Sequence, residues 1–129
     1  FQRPSKPREF RSSAGLPIFV GRSNRQNDRL TTRTAEKWDL WFHTQKIHGS
    51  HVILSTGGEQ PDAQSIAEAA SLAAYFSQAQ SSTKVPVDFT QVKFVKKPAP
   101  AKPGMVVYTN YQTVLADPNE ELVKHLLVK

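Results

Sequence analysis

The side chains best suited to chemistry lie together between Gly21 and Leu54. Arginines and carboxamides dominate the first half of this stretch, and tryptophan, phenylalanine and histidine rings follow. Guanidinium groups bind phosphate oxygens through paired hydrogen bonds, and aromatic rings beside cations suit unstacked RNA bases. The stretch therefore predicts a surface that binds a polyanion, most simply RNA. The side chains expected to contact RNA are Arg22, Asn24, Arg25, Asn27, Arg29 and His43.

A second basic segment, KKPAPAKPG, occupies residues 96–104. Its prolines disfavour helix and central strand, which predicts an extended, exposed loop. Lys96, Lys97 and Lys102 are the phosphate-binding candidates in this loop. One RNA-binding surface requires the basic loops at 21–37 and 93–103 to converge in the fold.

The overall charge agrees with an anionic partner. Seventeen Lys and Arg residues against eleven Asp and Glu residues give a net charge of +6, although a basic, merely solvated face would give the same sum. The chain has no cysteine, which excludes disulfides and thiolate zinc sites and fits a cytoplasmic location. No apolar run reaches the roughly 20 residues of a membrane-spanning helix. Because the chain does not begin with Met, we expect it to be a piece of a longer protein.

Two alternatives to RNA binding are a hydrolase triad and a metal site. Ser50, Asp39 and a histidine could supply a hydrolase triad, but no nucleophile-elbow motif surrounds the serine. His43, His48 and His51 lie within nine residues, yet no spacing typical of a zinc site accompanies them. Glycine-rich phosphate loops are also missing from the sequence. We therefore assign no catalytic residue, no metal ligand and no cofactor.

The sequence patterns for strands and helices around these residues predict an α+β domain. We expect a small mixed or antiparallel sheet of about five strands, with one long Ala-rich helix packed on it and a short C-terminal helix. The predicted strands and turns cover 15–21, 38–44, 51–56, 85–95 and a hairpin at 105–117 that turns at 109–110. The predicted helices cover about 62–80 and 119–129, with a short one capped by Asn27 or Asp28.

One domain boundary follows from the same patterns. Residues 1–14 are basic and punctuated by proline, which predicts a linker or extended arm, and the domain is expected at 15–129.

Trp38, Trp41 and Phe42 are expected mainly in the core, because large rings bury extensive apolar surface.

The order of four segments resembles the NFACT-R domain of bacterial proteins named for fibronectin binding or ribosome-associated quality control. These segments are VGRSNRQNDRLT, WFHTQKIHGSHVIL, IAEAASLAAYFSQAQSSTKVPVDFT and VKFVKKPAPAKPGMVVY. The resemblance covers roughly residues 16–115 and is specific as an ordered set, whereas each motif alone is weak.

The resemblance implies a non-catalytic RNA-binding module of a factor that rescues obstructed large ribosomal subunits. Such a factor would recruit tRNA for C-terminal alanine tailing, and this module would help to hold tRNA or ribosomal RNA. The implied partners are tRNA, the large ribosomal subunit, and the N-terminal and coiled-coil domains of the same protein. The family name also implies an alternative, a fibronectin-binding adhesin domain at the cell surface.

Overall fold

A six-stranded antiparallel sheet lies at the centre of the protein, whose computed structural model describes residues 6–129. The strands are β1 (Arg8–Arg11), β2 (Pro17–Val20), β3 (Leu40–Thr44), β4 (Val52–Leu54), β5 (Val85–Gln91), β6 (Val95–Lys96), β7 (Val107–Tyr108) and β8 (Gln112–Ala116). The sheet order is β1-β2-β4-β3-β5-β8, and β6 pairs with β7 in a separate ribbon. The helices are α1 (Asn24–Arg29), α2 (Ala63–Tyr75) and α3 (Glu120–Leu126). The predicted α+β class is confirmed.

The central strands of the sheet are buried on both faces, because their side chains enter two different cores. Phe42 of β3 pairs with Phe89 of β5 and faces the main core under α2. Trp41, one residue earlier, points to the opposite face and joins a smaller core with Ile53 and Leu30. Since successive side chains on a strand point to opposite faces, this second core lies on the side that carries the basic loops.

Helix α2 packs closely on the sheet because its buried stripe consists largely of alanine. Asp62 begins the helix by accepting a hydrogen bond from Ser65 N. The helix ends at Tyr75, earlier than predicted, since the backbone of Phe76 leaves the helical region. The chain beyond it pairs with the β3–β4 turn: Ser50 N donates to Phe76 O at 3.0 Å, and Gln78 N to His48 O at 3.0 Å.

The C-terminal segment protects the edge of the sheet. Asn119 caps α3 as predicted, and its Oδ1 accepts from Leu122 N at 3.1 Å. After the helix, Leu127 bridges to Phe10, and Val128 N donates to Glu9 O at 3.1 Å. These contacts satisfy backbone groups of β1 that an open edge would leave exposed.

The structure differs from the sequence-based expectation in two turns. Residues 105–117 do not form a hairpin, because β7 pairs with β6 and β8 pairs with β5. Thr90 Oγ1 donates to Thr109 O at 2.9 Å, which holds the intervening turn against β5. The strand predicted at 85–95 ends at Gln91, where a single 3-10 turn at Val92–Phe94 redirects the chain.

The predicted arm is also partly structured. Residues 1–5 lie outside the described part of the chain, but Arg8–Arg11 form β1 and pair with β2. Phe10 is 1% exposed and belongs to the main core. The sheet therefore begins inside the segment that was expected to be a linker. No helix within residues 6–129 is long and apolar enough to cross a membrane.

If β1 is an integral strand, Phe10→Ala should lower the free energy of unfolding by about 3–5 kcal/mol, as for other buried phenylalanines. Urea unfolding measures this change, and Arg11→Ala at the exposed end of the same strand is the control. A loss below about 1 kcal/mol, as at surface sites, would mean that β1 contributes little to the fold.

Candidate nucleic-acid interface

Helix α1 carries most of the arginine and amide candidates. Ser23 is its N-cap, with Oγ accepting from Gln26 N at 3.1 Å, so the predicted cap at Asn27 or Asp28 is wrong. The helix continues into a π-helical turn at Leu30–Thr34. Leu30 is buried against the second core, which fixes this short element to the sheet. Its outward face consequently presents the arginines.

Asn27 holds α1 against β4 and is itself buried. Its Oδ1 accepts a hydrogen bond from His51 N at 3.1 Å. A Cβ atom on Gly21 would lie 1.9 Å from this oxygen, so the close approach requires glycine at that position. The Asn27 carboxamide was expected to contact RNA, but its carbonyl oxygen is engaged within the fold.

The imidazole of His51 joins the two basic loops. Nδ1 lies 2.7 Å from Thr31 Oγ1, and Nε2 lies 3.1 Å from Gly104 O. A carbonyl can only accept, so Nε2 carries the proton and Nδ1 accepts from the threonine hydroxyl. Burial, with the nearby His43 as a smaller cause, lowers the pKa of His51 to about 4. The ring is therefore neutral near pH 7.

Asp28 adds a second connection between the loops. Its Oδ1 lies 2.8 Å from Lys97 Nζ and 3.4 Å from Gly104 N. The hydrogen bond from Lys97 is the main reason why the pKa of Asp28 lies below its usual value. The two basic loops thus converge, as one RNA-binding surface requires. Lys97 is engaged by this carboxylate and is less available to a phosphate than was expected.

His43 is held by backbone carbonyl groups. Its Nδ1 lies 2.7 Å from Thr44 O and its Nε2 lies 3.2 Å from Gly49 O. The ring stacks on Trp41 with 5.8 Å between centroids. Burial lowers the pKa of His43 despite these hydrogen bonds, which act in the opposite direction. His43 can offer a ring face to a ligand more readily than a free ring nitrogen.

The remaining candidate side chains are exposed. This group is Arg22, Asn24, Arg25, Arg29, Lys96 and Lys102. Within residues 6–129 the only ion pairs are Lys97–Asp28 and Lys124–Glu120, so these cations have no carboxylate partner there. Trp38 was expected in the core but is 46% exposed, whereas Trp41 and Phe42 are buried as predicted.

Three adjoining cavities form a groove, which we call the basic groove, and residues of both basic loops line the middle one. The first cavity has a volume of about 310 Å³, the second about 180 Å³ and the third about 390 Å³. Asn24 and Gly49 line the first two cavities, and His51 and Gly104 line the last two. Among residues 6–129, the cationic residues that line the groove are Arg8, Arg22, Lys46 and Lys102, and no Asp or Glu lines it.

The groove includes some of the predicted residues and omits others. Arg22, Asn24 and Lys102 line it with exposed side chains, and Asn27 and His43 contribute to its wall. Arg25, Arg29 and Lys96 do not line it. The groove is also lined by three residues that were not predicted, Arg8, Lys46 and Tyr75, which lie in a presumed linker, a turn and a helix end. The only feature of the sequence that could have indicated them is a polar side chain close to a turn or to the end of an element.

Metal binding has no support from the arrangement of the histidines. No group of three His, Cys, Asp or Glu side chains in residues 6–129 is placed to hold a metal ion. Trp41 Nε1 is the one buried side-chain nitrogen or oxygen without a hydrogen-bond partner in that range.

Residues 6–110 match the family model of the NFACT protein RNA binding domain. The chain belongs to this family, which confirms the resemblance recognised in the sequence.

Individual relatives agree with this assignment. The chain is 48% identical over 124 residues to the Rqc2 homolog RqcH of Bacillus subtilis strain 168, covering 95% of this chain and 21% of that protein. It is 42% identical over 123 residues to the Rqc2 homolog RqcH of Streptococcus pneumoniae strain D39, covering 95% of this chain and 22% of that protein. The chain therefore spans about a fifth of the length of these relatives.

A solved structure has the same fold. It is the C-terminal part of the fibronectin/fibrinogen-binding protein from Streptococcus suis, with a TM-score of 0.94 and 38% sequence identity. The match covers 98% of this chain and 51% of that one.

The buried, neutral His51 makes stability depend on pH. Its pKa is about 4 when folded, against 6.5 ordinarily, so below pH 6.5 the unfolded chain binds more protons and folding is weakened. We expect this group to lower the free energy of unfolding by about 1.5 kcal/mol between pH 6.5 and 5, and His43 to act in the same direction.

Urea unfolding at the two pH values tests this expectation, because His51→Gln should show a smaller pH dependence than the parent chain. The matched control is His125→Gln, which removes an exposed imidazole. Equal pH dependence in the parent and His51→Gln would contradict the assigned role of the buried ring.

Proposed function

We propose that the domain is a non-catalytic RNA-binding module of a ribosome quality-control factor and that RNA lies along the basic groove. The observation that carries the proposal is the convergence of the two loops on a groove lined by cations without carboxylates. Such a surface attracts the phosphate backbone and keeps its cations available. Membership of an RNA-binding family supports the same ligand.

The groove offers more than positive charge. Asn24 provides an exposed carboxamide beside the cations, and Tyr108 and His43 provide rings in the third cavity. Amides can contact sugar or base edges, and rings can support an unstacked base. We therefore assign phosphate contacts to Arg22 and Lys102. Arg25, Arg29 and Lys96 would extend the cationic surface outside the groove and contact more distant phosphates.

The whole protein would act on large ribosomal subunits and recruit tRNA for C-terminal tailing, with the RNA held here being tRNA or ribosomal RNA. Support comes from the relatives named Rqc2 homolog RqcH. Peptide-bond chemistry would belong to the ribosome, and the N-terminal and coiled-coil domains would supply the remaining contacts. This function implies a cytoplasmic location.

A second candidate is fibronectin binding at the cell surface, which the similarity to the Streptococcus suis protein favours. A basic face can also attract an anionic extracellular glycoprotein. The two functions differ in salt dependence, since binding dominated by phosphate contacts weakens steeply as salt rises.

RNA titrations at several salt concentrations test the groove. We expect log K to fall linearly with log salt, and Arg22→Gln and Lys102→Gln each to reduce the slope by about 0.7 for a single strand. The matched control is Lys124→Gln, which removes one positive charge from α3, outside the groove. A flat salt dependence, or equal effects of all three substitutions, would contradict RNA binding along the groove.

A further inference from the structure

The first cavity of the basic groove brings two arginines together at the end of α2. Arg8 lines it from β1 and Arg22 from the start of the first basic loop, and Tyr75 and Gln78 line it as well. None of the described residues that line this cavity is Asp or Glu. Its volume of about 310 Å³ is at the lower end of the range for ligand pockets.

Neither an ion pair nor the carbonyl groups at the end of α2 account for the position of Arg8 in the described part of the chain. The last carbonyl groups of α2 could attract a cation, but other donors already occupy them. Ala74 O accepts from Ser77 Oγ at 2.7 Å, and Tyr75 O accepts from Gln80 Nε2 at 2.9 Å. Phe76 O accepts from Ser50 N. Within residues 6–129 no carboxylate forms an ion pair with Arg8.

Both guanidinium groups retain hydrogen-bond donors that could face a ligand. The Arg8 guanidinium lies over the Phe76 ring, 4.8 Å from its centroid. Such a contact uses the face of the group and leaves its in-plane N–H groups available. Arg22 donates Nε to Lys6 O at 2.8 Å, which leaves its two terminal nitrogens. This contact also restricts the side chain beside the cavity.

The two like charges also repel each other. Partial burial, followed by the positive charge of Arg22, lowers the pKa of Arg8. A bound anion with several acceptor oxygens would remove this repulsion and fill the in-plane donors of both groups.

We propose that Arg8 and Arg22 form a phosphate-binding site in the first cavity and that this site holds a phosphate group of the bound RNA. The inference rests on the proposed function for the identity of the ligand. The phosphate comes either from the backbone or from a terminal monoester, since both present oxygens to paired guanidinium groups.

Inorganic phosphate is the first probe. In an NMR titration of the 129-residue chain, phosphate should shift the Nε–H signals of Arg8 and Arg22, and chloride at equal ionic strength should not. The Arg8→Gln variant should lose the Arg22 shift, whereas Arg11→Gln should keep it. Arg11 is a matched control because it lies on the same strand and lines none of the groove cavities. The absence of any phosphate-specific shift would overturn the proposed site.

RNA is the second probe, used as a single strand with either a 5′-phosphate or a 5′-hydroxyl group. Arg8→Gln should weaken binding on the order of tenfold, as expected for loss of a charged hydrogen bond, and Arg11→Gln should weaken it less. A loss confined to 5′-phosphorylated RNA assigns the site to a terminal phosphate, and an equal loss with both RNAs assigns it to the backbone.

The remaining outcomes separate the two proposals. If the parent chain binds RNA and the Arg8 and Arg11 variants are equally affected, the phosphate site is overturned while RNA binding stands. A parent chain that binds no RNA contradicts both proposals.

Discussion

The structure of the candidate interface depends on one buried imidazole. His51 immediately precedes β4, and its ring contacts Thr31 on one side and Gly104 on the other. Because the ring is neutral, it can accept from the first and donate to the second at the same time. Leu30 anchors the first loop in the second core, and the imidazole then joins this loop to Gly104 at the end of the second.

Polar contacts around this ring are connected into a network. Asn27 accepts from the backbone of His51, and Asp28 binds both Lys97 and Gly104. Buried polar groups are stabilising only when their partners are satisfied, and these groups have partners on both loops. The network uses a histidine, an amide and one lysine for structure. The exposed cations around it remain available for a ligand.

The features that could be predicted from sequence are those fixed by near neighbours. Asp62 and Asn119 cap their helices through residues three positions away, so both helix starts were readable. The strands predicted at 38–44 and 51–56, which contain β3 and β4, and the exposure of the charged loops were equally local. The supposed hairpin at 105–117 failed because long-range pairing with β5 and β6 outweighed the local turn.

The site was predicted in outline and missed in detail for the same reason. Asn27 meets His51 across 24 positions, and Asp28 meets Lys97 across 69. No local pattern shows that these side chains are engaged with each other. Arg8 was overlooked because proline and charge made its segment resemble a linker, although Phe10 anchors it in the core.

If the domain binds RNA as proposed, the junction between the loops, and not positive charge alone, shapes the binding surface. The most direct measurement compares the RNA affinities of Asp28→Ala and Glu36→Ala, which each remove one acid from the same basic loop. We predict that Asp28→Ala weakens RNA binding despite the added positive charge, because the loops lose their ionic connection, while Glu36→Ala leaves binding unchanged or strengthens it. Equal or stronger binding by Asp28→Ala would contradict the account.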